Sequence, residues 1–80
     1  MAAEELDIPL GAIAIDTHPQ YAGQRYVFVG WASTTVSKEA TLVRELQPRE
    51  RLNRASPWIY HCTETATLLR RFPDLERFRR

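Results

Sequence analysis

The stretch Arg25-Tyr26-Val27-Phe28-Val29-Gly30-Trp31 decides the fold. Apart from Gly30 it is filled by aromatic and β-branched side chains and led by one arginine, and such residues fit the pleated surface of a strand better than the wall of a helix. Alternation puts Tyr26, Phe28 and Gly30 on one face and Val27, Val29 and Trp31 on the other. Both faces are apolar, which predicts a central strand covered on both sides. Gly30 within the pattern marks a bulge or a close backbone approach, the kind of bend that lets a small sheet curl.

Upstream, Ala12-Ile13-Ala14-Ile15 is a short apolar run closed by Asp16, and its length and two β-branched residues predict a first strand. The intervening Thr17-His18-Pro19-Gln20-Tyr21-Ala22-Gly23-Gln24 has proline early and glycine late, the composition of a loop that needs a positive φ at Gly23. Residues 1–9 are polar and acidic apart from Leu6, Ile8 and small residues, and Pro9 makes them an extended lead-in. Residues 1–7 are expected to fray.

Downstream, residues 37–48 read two ways. Ser37 could cap a helix carrying Ala40, Leu42, Val43 and Leu46 inward until Pro48 ends it. The same residues alternate as a strand, and the short link from Trp31 to Ser37 suits a hairpin, so the strand is favoured. Gln47 to Pro57 is polar and arginine-rich with prolines near both ends, a solvated loop that would project Arg49, Arg51 and Arg54. Trp58-Ile59-Tyr60-His61-Cys62 reads as a further strand with Trp58, Tyr60 and Cys62 on one face and Trp58 in the core. Thr63 is the expected N-cap of a short helix with Ala66, Leu68, Leu69 and Phe72 inward. Pro73 opens a second short helix, with Asp74 and Glu76 at its start and Arg77, Arg79 and Arg80 at its end. The class is α+β: a small, strongly bent antiparallel sheet or SH3-like barrel with one or two short C-terminal helices, in one domain spanning residues 1–80.

A chain of 80 residues buries only about 60% of its unfolded surface, so its core is thin. Apolar residues at 44% and charged residues at 26% exclude a disordered chain. Cys62 is the one cysteine, which rules out an intrachain disulfide and favours a reducing cytoplasm. No apolar run approaches the roughly 20 residues of a membrane span, and the acidic start lacks the pattern of a secretory signal. The expected localisation is cytoplasmic, with no membrane partner.

The formal charge of +1 conceals an asymmetry. Residues 1–43 hold two basic side chains against five carboxylates, a net of −3, and residues 44–80 hold nine arginines against five carboxylates, a net of +4. Arginine supplies ten of the eleven basic residues, which suits forked hydrogen bonds to carboxylates or phosphates. GC-rich codon usage gives the same skew without any function.

No motif supplies chemistry. His18, His61 and Cys62 cannot make up the four ligands of a closed zinc site, and adjacent His61 and Cys62 fall on opposite faces of a strand. Cys62 with a distant histidine base is weaker than its alternative, a small buried hydrophobe. The glycines at 11, 23 and 30 match no phosphate loop. No catalytic residue, metal or cofactor is assigned. The remaining functional pattern is arginine with aromatics: Arg49, Arg51, Arg54, Arg70 and Arg71 with Tyr21, Trp31 and Tyr60 could form a basic surface with stacking rings. The competing reading is that the rings fill the core and the arginines solvate it.

With Gly11 opening strand one and Gly30 inside strand two, the strand order resembles small SH3-like barrels, which bind proteins or nucleic acids through loops and an open edge. In its size, its single domain and its lack of catalytic motifs the whole chain also resembles anti-CRISPR proteins, a group of small inhibitors from phages and mobile elements that shares no common motif. The resemblance implies a non-enzymatic protein that occludes a site on a protein or nucleoprotein complex. Arg49, Arg51, Arg54, Arg70, Arg71 and Tyr21 are the candidate contacts read from this sequence. The alternative is direct nucleic-acid binding by the arginine-rich loop and an aromatic sheet face.

Overall fold

The structure, a computed structural model, describes residues 6–33, 35–46 and 58–80. Four strands, β1 (Ile13–Ile15), β2 (Arg25–Ser33), β3 (Lys38–Arg44) and β4 (Ile59–Cys62), form an antiparallel sheet in the order of the chain. The helix α1 (Thr65–Arg71) and a 3-10 helix (Pro73–Phe78) follow. The α+β class stands, residues 38–44 are strand, and the sheet is open: β1 and β4 are not paired among the described residues.

Register explains the layering. Ala14 pairs with Tyr26, Phe28 with Leu42, and Leu42 with Tyr60, so one face presents Ala14, Tyr26, Phe28, Ala40, Leu42, Tyr60 and Cys62. Onto that face pack Leu68 and Phe72 of α1 and its end, Leu75 of the 3-10 helix, and Leu6 and Ile8 from the start of the described chain. Phe72 lies edge-on between Tyr26 and Tyr60, with ring centroids 5.1 and 5.4 Å away, a geometry that adds to the area buried.

Four expectations are corrected here. Leu6 is 1% exposed, bridges Arg79, and is followed by an Asp7 N–H donated to the Phe78 carbonyl, so Leu6 and Asp7, within the segment expected to fray, are tied to the fold. Val29 is an extra residue in β2, because the register slips between Phe28 and Gly30, and Gly30 takes φ of +134° there. That bulge turns Trp31 to the core side, opposite Ala40, with its ring 5.5 Å from Phe28 rather than beside Val27. Among the described residues the other face of β2 has no second layer: Val29 and Ile59 remain 50% and 57% exposed, because both helices and residues 6–8 lie on one side. The N-cap of α1 is Glu64, not Thr63, and the last element winds as a 3-10 helix.

The ends of the sheet are tied to the helices. Thr17 donates its N–H and its hydroxyl to the Arg71 carbonyl, both near the C-terminus of α1, where carbonyls lack intrahelical donors. No helix among the described residues is long and apolar enough to cross a membrane.

Candidate functional site

The chemistry gathers where α1, β4 and the β1–β2 loop meet. Asp16 follows β1 and is buried, and its carboxylate accepts the His18 N–H at 2.9 Å, which fixes the start of the loop. Arg71, in the last turn of α1, donates Nε and Nη2 to the same carboxylate at 3.0 and 2.8 Å. A forked, charge-assisted pair of this kind sets both the distance and the angle between its elements. The guanidinium also lies 4.4 Å from the Tyr60 ring and 5.4 Å from the Tyr21 ring, within the range of cation–π attraction.

Two clefts open on either side of this pair. One, of about 320 Å³, is lined by Thr17, His18, Pro19, Tyr60, Thr67, Arg70 and Arg71. The other, of about 390 Å³, is lined by Tyr21, Tyr26, Trp58, Ile59, Tyr60 and Arg71. Tyr60 and Arg71 form the wall between them. Trp58 stands at the rim, 48% exposed, edge-on to Tyr21 at 5.0 Å and with the Arg44 guanidinium 4.6 Å from its ring. It is therefore not the core residue that its strand phase suggested, because Tyr60 is the first residue of that face to lie under α1.

Electrostatically the site is cationic but partly neutralised. Arg71 is spent on Asp16, and Arg44 donates to the Gln24 side chain while lying 7% exposed. Arg70 differs. It is exposed, and among the described arginines it alone has a guanidinium with neither an ion pair nor a hydrogen bond. Burial, with the adjacent Cys62 sulfur, pushes the Tyr60 phenol up to about 12, so it stays a neutral donor at any physiological pH.

Cys62 turns into the core side and donates its thiol to the Glu64 carbonyl at 3.4 Å, whereas His61 points to the other face beside Thr41 and Glu39. No hydrogen bond joins Cys62 to either histidine among the described residues. No three His, Cys, Asp or Glu side chains among them are placed to hold a metal ion.

Of the residues expected to make the surface, Tyr21, Tyr60, Arg70 and Arg71 come together, with Arg71 as the internal strut and Arg70 as the outward charge. Trp31 is elsewhere, against Phe28. Arg49, Arg51 and Arg54 lie outside the described residues. Two residues escaped the sequence reading. Asp16 looked like a strand terminator, and nothing local announces a partner 55 residues away. Trp58 looked like core, although Pro57 before it already marked the point where the chain enters the sheet. Comparison of the chain with protein-family models, curated proteins and solved structures finds no match.

Proposed function

We propose that this chain is a non-enzymatic binding protein that occludes a site on a protein or nucleoprotein complex, in the manner of the anti-CRISPR-type inhibitors it resembles. The observation that carries this reading is the grouping of half-exposed Trp58, Tyr21 and Tyr60 with the unpaired guanidinium of Arg70 around two clefts. Tryptophan, tyrosine and arginine are the residues that dominate binding energy at interface centres. An 80-residue chain with a thin core leaves a tryptophan 48% exposed at a cost, and that cost is offset when a partner covers it. The open, bulged sheet is compatible with the SH3-like analogy, in which loops and a free edge meet the partner. The lone thiol fits a reducing cytoplasm.

The test is affinity capture on the purified chain with and without nuclease, using the intact protein, Arg70→Glu, and the triple variant Arg49→Glu, Arg51→Glu, Arg54→Glu. The expected result is a protein partner that survives nuclease and is lost with the charge-reversed chains. Loss of every partner on nuclease treatment, with binding that falls steeply between low and physiological salt, would make nucleic acid the direct ligand and overturn occlusion of a protein.

A further inference from the structure

The two edges of the sheet are built differently. Hydrogen bonds alternate along an antiparallel ladder, and the bond from the Arg44 N–H to the Trp58 carbonyl at 2.9 Å fixes the phase at β4. Arg44, Leu42 and Ala40 face β4, so Ile59 and His61 turn their own N–H and C=O groups away from the sheet. By the same rule, the bond from the Phe28 N–H to the Ala12 carbonyl turns Ile13 and Ile15 outward on β1. On β1 two of the four outward groups are met by side chains of the 3-10 helix: Asp74 accepts the Ile15 N–H at 2.9 Å and Arg77 donates to the Ile13 carbonyl at 3.1 Å. On β4 the outward groups of Ile59 and His61 hydrogen-bond to nothing among the described residues.

An open edge invites pairing with another chain, and proteins ordinarily blunt it with lysine, proline, a bulge or a covering element. β4 reads Ile-Tyr-His-Cys and has none of those devices among the described residues, although β1 of the same sheet is partly covered. Its surroundings specify what would fit. On the outer face, Ile13, Val27, Val43 and Ile59 stand opposite one another across all four strands, so the next position in that row takes a β-branched apolar side chain. On the inner face, Tyr60 borders the cleft that holds Arg70, so the alternate position takes a carboxylate. A second copy of this chain fits less well, because two-fold pairing of β4 would set each copy's Arg70 surface towards its twin.

We propose that the free edge of β4 receives an extended segment of another protein, with β-branched apolar residues alternating with acidic ones, as a fifth strand. The proposal deepens the occlusion reading above and rests on it for the existence of a protein partner.

The probe is a synthetic octapeptide of alternating valine and glutamate, titrated into the isotope-labelled intact chain and followed by amide NMR and amide exchange. Binding should shift and protect the Ile59 and His61 amides and leave Ile13 and Ile15 unmoved. His61→Pro removes the outward N–H together with the imidazole beside Thr41 and Glu39 and should abolish binding, His61→Ala, which removes the imidazole alone, should retain it, and Arg70→Glu should weaken it about tenfold or more. Should His61→Pro fail to fold, the octapeptide N-methylated on alternate residues replaces it, and should not bind the intact chain. Absence of binding at millimolar peptide, equal binding of the N-methylated or a valine–lysine peptide, or dimerisation of the chain through β4 each overturns the proposal. If the His61→Pro chain still captures a nuclease-resistant partner, strand addition falls and occlusion stands. If the octapeptide binds at β4 but the intact chain captures no protein, occlusion falls and the edge site stands.

Discussion

Arg71 grips Asp16 with two nitrogens, at 3.0 and 2.8 Å, and so ties the last turn of α1 to the loop after β1 across 55 residues of chain. The carboxylate is fully buried and the guanidinium keeps 20% of its surface. Breaking one partner of such a pair strands the other charge, which costs about 3–5 kcal/mol. The whole stability of a domain this size is roughly 4–12 kcal/mol, at roughly 0.05–0.15 kcal/mol per residue. Asp16→Ala is therefore expected to lower the urea midpoint drastically or unfold the chain. The double substitution Asp16→Leu with Arg71→Met should recover much of the loss, since an apolar pair of similar volume leaves no charge behind.

The beginning of the described chain carries a second prediction. Leu6 is 1% exposed against the core and Leu10 is 75% exposed. Leu6→Ala should cost about 2–5 kcal/mol by equilibrium urea denaturation. Leu10→Ala should stay within about 0.5 kcal/mol of the unchanged protein. Equal small effects would mean that the segment before β1 does not contribute to the core.

Gly30 is the third. Its φ of +134° is one L side chains rarely adopt, and among the described residues an added Cβ would meet only Leu10 Cδ2, at an ordinary 3.7 Å. Gly30→Ala should therefore destabilise by backbone strain rather than by collision, by about 1–3 kcal/mol. Leu10→Ala in the same background should not relieve it. A double-mutant cycle measures both statements.

Alkaline pH supplies the fourth. Tyr60 holds its proton up to about 12 in the fold against an ordinary value of 10.0, with burial the main cause. Between those two values the folded chain binds more protons than the unfolded one, so stability falls as pH rises through that window. Below it the phenol is protonated in both states and the contribution is complete. Tyr60→Phe should flatten the fall in the urea midpoint above about pH 10. Tyr26, also raised by burial, should leave a residual slope in that variant.

How much of this was legible in the chain follows from the range of each signal. The strands and α1 announced themselves because β-branched runs, turn residues and the stripe of Leu68, Leu69 and Phe72 are local patterns. Gly30 signalled a bulge or a close approach, but the side of the sheet on which Trp31 falls was not legible, because one extra residue at Val29 reverses every later side chain and the place of the extra residue is set by the partner strand. Of the residues that composition grouped, Tyr21, Tyr60, Arg70 and Arg71 line the two clefts, Trp31 lies elsewhere and Arg49, Arg51 and Arg54 lie outside the described residues, and the division of labour among the first four depends on Asp16. A lone carboxylate after an apolar run says nothing about a guanidinium on a helix far along the chain.

The capping of β1 by Asp74 and Arg77 has a consequence for assembly. A sheet grows without limit only when each added molecule offers a fresh template on its far side. Here two of the far side's four outward groups are taken by side chains of the same molecule, which disfavours a second pairing after one through β4. If β4 receives a strand as proposed, the guarded β1 edge makes the chain a terminator, completing another protein's sheet one-to-one without offering a fresh template.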